Sequence, residues 1–352
     1  MDSRERIKTT LAHKEPDRVP IHDSPWTSTI ERWKREGLPE GITPFDYFHF
    51  EMVGIGCDNT PRFPVKTIEK TDKFIVQTTP QGGISKNFWD YASTPEIIER
   101  PIKDRSDWDK MKHRLEPDFT RVDWVTAQNR YDTARSEGKF ITFDSAYGYD
   151  ALQNYVRTED LLVLMATETE FVKEMIEILG NLTLEMAKMM MSKGFEFDGF
   201  FSYNDMGYRN GLLFSPEIYK QTHMETDAKI YSFFHKHNMP VFLHSCGCVK
   251  ELIPTLIDVG LDCLQPLEVK AGMNLVELKQ QFGDKLSFMG GIDVKAMANP
   301  DPKVIEDEIA GKFAIAKKGG GYIYHSDHSV PNNISFAQYK HVMELVKKYG
   351  KY

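Results

Sequence analysis

Short apolar runs alternate with amphipathic stretches along most of this 352-residue chain, and that alternation limits the fold more than any motif does. The apolar runs fall at 18–23, 140–145, 199–205, 240–246, 262–267, 286–292 and 321–327. Each is nearly continuous in apolar residues, as parallel strands covered on both faces are. Helical periodicity occupies 159–193 (with an interruption near Gly180), 216–236, 248–259, 274–281 and 302–318. Seven strand–helix units fit an α/β fold, a (β/α)8 TIM barrel, better than a sandwich. A doubly wound open sheet competes, but no Gly-x-Gly-x-x-Gly opens any of the helices, which counts against its dinucleotide-binding form. Residues 45–118 break the pattern, and 74–88 read as a hairpin turning at Gly82-Gly83. The expectation is one barrel domain over 1–352, with 45–118 an insertion of hairpin and short helices folded over the barrel mouth.

The length is large for one domain but within reach of a single barrel. A net charge of -8 argues against a nucleic-acid partner, which calls for a basic face. No stretch approaches 18 consecutive apolar residues, so no transmembrane helix and no membrane partner is expected. The N-terminus has no apolar core of a signal peptide, and the reading is a cytoplasmic protein. Cys57, Cys246, Cys248 and Cys263 are too few for a disulfide scaffold; in a reducing compartment, two of them beside a histidine suggest metal or catalysis. The methionine-rich run 186–191 reads as core packing.

The run His244-Ser-Cys246-Gly-Cys248 closes the apolar run at 240–246. Imidazole and thiol at i and i+2 of an extended segment point to one side, and neutral His nitrogen with Cys thiolate are ligands that zinc prefers. Cys248 lies past the glycine at a helix start and is the weaker candidate. In barrel enzymes the chemistry sits at the C-terminal ends of strands, and these ends carry His22 and Asp23, Asp144 with Tyr147 and Tyr149, Tyr203-Asn204-Asp205, Gln265 and Glu268, Asp293, and His325-Ser-Asp327-His328. A third ligand from Asp327 or His328, with His325 a further candidate, leaves a coordination position open, which marks catalytic zinc. An open zinc activates water or binds a thiol-like nucleophile, and a thiolate already among its ligands favours the second. Asp205 would otherwise be a helix cap, but Ser215-Pro216 supplies a better cap for the next helix. Asp205 is therefore free to enter the site.

Several segments together resemble the uroporphyrinogen decarboxylase superfamily over essentially the whole chain: the opening Arg6-Ile-Lys-Thr-Thr-Leu-Ala-His-Lys-Glu-Pro-Asp-Arg-Val-Pro, His244-Ser-Cys-Gly, Phe288-Met-Gly-Gly-Ile-Asp293 and Asp327-His-Ser-Val-Pro331. The His-x-Cys segment is similar to that of the corrinoid-dependent (methylcobalamin:acceptor) methyltransferase branch. That resemblance implies a (β/α)8 barrel, zinc held by His244 and Cys246, and cobalamin carried by a partner corrinoid protein. The branch has a late cysteine where Asp327 stands here. The arginine-rich loop Met-Arg-Gln-Ala-Gly-Arg, by which true decarboxylases hold porphyrinogen carboxylates, has no counterpart.

The resulting expectation is a one-carbon transferase, a zinc-dependent methyltransferase moving a methyl group between a corrinoid protein and a small-molecule thiol, tetrahydrofolate or methylated compound. Asp23, Asn204 and Asp205 would orient the substrate; Tyr147, Tyr149, Gln265 and Asp293 would line its pocket; His244, Cys246 and Asp327 would hold zinc, with His328 and Cys248 in reserve. The alternatives are a decarboxylase of a small acid or tetrapyrrole, and a non-catalytic corrinoid- or tetrapyrrole-binding barrel. Direction of transfer and oligomeric state stay open, an oligomer being compatible with the sequence.

Overall fold

The computed structural model describes residues 1–89 and 95–352. Its strands, in chain order, are β1 (Met52–Gly56), β2 (Thr67–Lys70), β3 (Phe74–Thr78), β4 (Ile84–Phe88), β5 (Glu96–Glu99), β6 (Phe140–Ala146), β7 (Gly199–Tyr203), β8 (Gly207–Tyr208), β9 (Gly211–Leu212), β10 (Val241–His244), β11 (Cys263–Gln265), β12 (Ser287–Met289) and β13 (Tyr322–Ile323). Seven of them pair in parallel in the order β1-β6-β7-β10-β11-β12-β13. Residues 20–22 lie between the two edges: Ile21 bridges Tyr324 in parallel, and the Glu51 amide donates to the Ile21 carbonyl at 2.9 Å. The sheet thus curls into an α/β barrel, with helices such as Thr169–Ser192 and Phe336–Tyr349 around it.

Two features differ from the sequence reading. β1 lies within 45–118 yet pairs with β6 from Met52↔Phe140 to Gly56↔Asp144, so it is a barrel strand. Its glycines at 54 and 56 dilute the apolar run that would have announced it. The long helical stretch breaks at Glu168, between Thr158–Thr167 and Thr169–Ser192, and not at Gly180. Gly180 stays helical because its bare Cα lets Thr226 approach; a Cβ there would lie 2.5 Å from the Thr226 methyl. The 74–88 hairpin is present, β3 pairing antiparallel with β4 and Gly82 adopting φ +92° in the turn. With β2 and β5 it makes a four-stranded antiparallel sheet. The Asn59 amide anchors the start of this region to the Ala146 carbonyl at the end of β6 (2.7 Å), and the Ile102 amide its end to the Tyr155 carbonyl beyond β6 (3.0 Å).

The barrel floor is one layer of side chains. Met52, Phe140, Phe201, Phe242, Cys263, Met289 and Ile323, one from each strand, pack together with Ile7 of the helix Ser3–Leu11 beneath them. Burying this layer removes it from water at about 25 cal/mol per Å2 of apolar surface, and it fixes which strand positions point inward.

Candidate functional site

Side chains alternate along a strand, so the residues two beyond the floor layer must face the barrel interior nearer its C-terminal mouth. From β7, β10 and β11 these are Tyr203, His244 and Gln265, which sit in register as His244↔Tyr203 and His244↔Gln265. Two beyond Ile323 comes His325, buried at 1% exposure. The site layer is therefore polar where the floor is apolar, and His244 stands in its middle.

Around the His244 imidazole the chain gathers metal-ligating atoms in two overlapping groups. Asp205, His244 and Cys246 place one donor atom each within 4.8 Å of one another, and so do Cys246, Glu268 and His328. His244 Nε2 lies 3.3 Å from Cys246 Sγ and 3.4 Å from Asp205 Oδ1. Asp205 also accepts from the Cys246 amide at 2.7 Å, which pins the loop carrying the thiol. Gly247, at φ +78°, turns that loop, and its amide donates to Glu268 Oε2 at 2.9 Å. A Cβ on Gly247 would lie 2.3 Å from the Gly207 backbone, so only glycine fits. Glu268 Oε1 faces His328 Nε2 at 3.7 Å and Lys270 Nζ at 3.3 Å. Burial, then Asp205 and Glu268, hold the Cys246 thiol above the ordinary range. A thiol and two carboxylates thus meet two imidazoles, with Lys270 the one cation in contact among the described residues. That donor set fits a divalent ion with N, O and S preference such as zinc.

The tautomer of His244 follows from its neighbours. His325 Nδ1 contacts the Ser326 carbonyl at 2.7 Å, so Nδ1 carries the proton and Nε2 accepts. Gln265 Nε2, 3.3 Å from His325 Nε2, is then the donor, which turns Gln265 Oε1 toward His244 Nδ1 at 2.5 Å. His244 Nδ1 must carry a proton, and its Nε2 lone pair faces Cys246 and Asp205. Such outer partners of a ligating histidine set its orientation and basicity. Gln265→Leu is expected to weaken zinc binding about 10–100-fold without unfolding the barrel, read by competition titration with a chelator dye. Unchanged affinity in a folded variant would remove Gln265 from this role.

Residues 83–349 match the family model of uroporphyrinogen decarboxylase (URO-D), three quarters of the chain. The chain belongs to the uroporphyrinogen decarboxylase family. Among solved structures, this family member is similar to a methyltransferase from Methanosarcina mazei, at TM-score 0.70 and 14% identity, covering 99% of each chain. That likeness extends the barrel fold over the whole chain. A 3-keto-L-gulonate-6-phosphate decarboxylase from Vibrio cholerae matches at TM-score 0.31 and 11% identity, over 65% of this chain and 83% of that one, too weak a likeness to bear on the fold. No curated protein matches by sequence. None of the described helices is long and apolar enough to cross a membrane.

Within this decarboxylase-family barrel the expected site residues separate into those at the donor cluster and those elsewhere. His244, Cys246, Asp205 and His328 converge, and His328 stacks on Trp26 with ring centroids 6.1 Å apart. Asp327 does not join them. Its two oxygens accept from the Val269 and Val294 amides, each at 3.0 Å, so it ties the loops after β11 and β12 together. Burial raises its pKa to about 6. Glu268, which the sequence places at the same strand end as Gln265, is the carboxylate that reaches Cys246 instead. Cys248 stands outside both groups, its amide bound to the Tyr208 carbonyl at 2.8 Å. Asn204 accepts from the Asp150 amide at 3.1 Å and packs against Gly148, positioning a loop more than presenting itself to a ligand.

Four other expected residues fall away from the cluster. Asp23 is fully buried among the Tyr324, Tyr339 and Ser326 hydroxyls. Tyr147 donates to Asp227 at 2.7 Å behind the barrel wall. Tyr149 packs on Phe214, its hydroxyl buried and without a partner among the described residues. Asp293 caps the short helix Val294–Met297, accepting from the Lys295 amide at 2.8 Å. Asp150, which the sequence reading passed over, belongs near the site: burial, then Asp205, raises its pKa to about 6, while His244 opposes the shift. Asp144 lies further in. Its pKa is pushed up to about 7 by burial, despite a 2.6 Å hydrogen bond from Thr142.

Proposed function

We propose that this family member is a zinc-dependent methyltransferase that moves a methyl group between a separate corrinoid protein and a small molecule, in the cytoplasm. What supports the reading is the convergence of His244, Cys246, Asp205, Glu268 and His328 at the barrel mouth. His244 and Cys246 would hold the ion, with Asp205 or the Glu268–His328 pair completing its protein ligands. When bound, zinc lowers the pKa of a coordinated thiol or similar nucleophile, and the partner's corrinoid carries the methyl group.

The chain's own residues do the positioning. Gln265 holds the imidazole of His244 by Nδ1 and so aims Nε2 at Cys246 and Asp205. Asp205 and Glu268 fix the backbone of the Cys246-Gly247 turn through the amides they accept from. Tyr203, its ring 5.5 Å from that of His244, borders the space where a small substrate would lie. Holding methyl carbon and nucleophile in line converts a bimolecular step into an effectively unimolecular one, a large part of the required acceleration. Residues 45–118, apart from β1, would cover the mouth around the substrate.

The test is metal content followed by turnover. The purified protein should hold about one zinc per chain and demethylate free methylcobalamin in the presence of thiol or folate acceptors, or methylate cob(I)alamin from a methylated donor, seen as the change in corrinoid absorbance. A protein that binds no zinc in zinc-replete medium overturns the mechanism. A zinc protein inert toward every donor and acceptor class overturns the transferase reading.

A further inference from the structure

The barrel wall is not closed along its whole height. β1 pairs with β6 on one side, but among the described residues its other edge is met only at the foot, by Ile21. Beyond that point the chain leaves β1: Pro25 bridges Val330, and the Trp26 amide binds the Val330 carbonyl at 3.1 Å. A cavity of about 770 Å3 opens beside this free edge, a volume suited to a small ligand. His22, Gly54, Asp144 and Tyr203 border it from within the barrel, while Arg130 borders it from the helix Trp124–Ser136.

At the inner end, Asp144 folds over Gly54, where a Cβ would lie 1.9 Å from its Oδ2. Thr142 donates to Oδ1 at 2.6 Å, whereas Oδ2 has only the Tyr203 hydroxyl at 3.4 Å, so it keeps room for a ligand's donor. The Tyr203 ring stands between this cavity and His244, its centroid 5.5 Å from that of the imidazole. At the outer end, Arg130 has no hydrogen bond or ion pair among the described residues, although its charge is felt at Asp144. The other acids on the lining are engaged: Asp46 by the Thr43 hydroxyl at 2.7 Å, Glu137 by Lys139 at 3.7 Å. Arg130 is thus a guanidinium fork without an ion-pair partner among the described residues.

We infer that this cavity is a small-molecule site and that its ligand is a small organic acid, with its carboxylate on Arg130 and its other end against Asp144 and Tyr203, the residue that borders both the cavity and His244. As the substrate site of the transferase, the inference rests on the function proposed above; as a carboxylate site it is measured by binding alone.

Two probes of equal size separate charge from shape: 3-methoxypropionate and its uncharged amide, 3-methoxypropionamide, titrated calorimetrically into the zinc-loaded protein. The parent should bind the acid about tenfold or more tightly than the amide. Arg130→Gln should bring that ratio to about one while leaving amide binding unchanged, and Arg130→Lys should keep part of it. Arg130 is exposed, so both variants should melt with the parent. Equal binding of acid and amide by the parent, or a preference that survives in Arg130→Gln, overturns the site. A parent that prefers the acid yet transfers no methyl group sinks the function and leaves the site standing; turnover without acid preference does the reverse.

Discussion

His244→Ala and Cys246→Ala should each release the proposed zinc, taking its content from an expected one or so per chain to below the level detected by plasma mass spectrometry after dialysis, and each should abolish the proposed methyl transfer. The magnitude follows from the ligand count. A structural or catalytic zinc is held by three or four protein donors, and losing one of the two soft, well-placed ligands removes a large share of the binding free energy. His244 contributes a nitrogen whose lone pair is already aimed by Gln265, and Cys246 contributes the one sulfur in either donor group. Removing them should not unfold the barrel, because both side chains are partly exposed at the mouth, above the apolar floor layer. Asp327→Asn serves as the contrast: its oxygens take two backbone amides, so it should lose stability and keep zinc. Zinc retained in Cys246→Ala, or lost in a stable Asp327→Asn, would return the third ligand to the position that the sequence reading favoured.

That contrast shows which parts of the site a sequence can carry. The strand β10 and its His-x-Cys ending were legible because alternation within one strand fixes which side chains share a face. The polar residues on neighbouring strand ends were legible for the same reason. The partner of Cys246 was not, since it depends on the path of two loops. Asp327 and Glu268 both follow strands, but backbone amides at 269 and 294 capture the first and leave the second facing the thiol. Tyr147 illustrates a different failure: it follows β6, yet one residue of alternation sends it outward to Asp227. The barrel itself was readable from six of its strands; β1 was not, because its inward positions beyond Met52 are glycines, Gly54 making room for Asp144.

Asp23→Ala should destabilise the fold by about 3–5 kcal/mol, a larger loss than any substitution at the donor cluster. Asp23 has no exposed surface, and its carboxylate accepts from Tyr339 Oη at 2.6 Å, Ser326 Oγ at 2.6 Å, the Ser24 amide at 2.9 Å and Tyr324 Oη at 3.3 Å. These partners belong to the end of the first barrel segment, the stretch after β13 and the helix Phe336–Tyr349. Asp23 therefore fastens the barrel where the curled sheet is joined by the isolated Ile21–Tyr324 and Pro25–Val330 bridges and not by a continuous ladder. Truncating it leaves buried hydroxyls without an acceptor at about 1–3 kcal/mol each, and the cavity left behind adds to the loss. The measurement is urea unfolding, in which the midpoint should fall with the slope nearly unchanged. Asp23→Asn should fall in between, because an amide oxygen still accepts while its NH2 meets hydroxyl donors. A residue that acts on substrate would behave the other way, with turnover lost and the midpoint kept. That outcome would restore Asp23 to the chemistry at the mouth; the expected one makes it the clasp that holds His325, Gln265 and His244 in line.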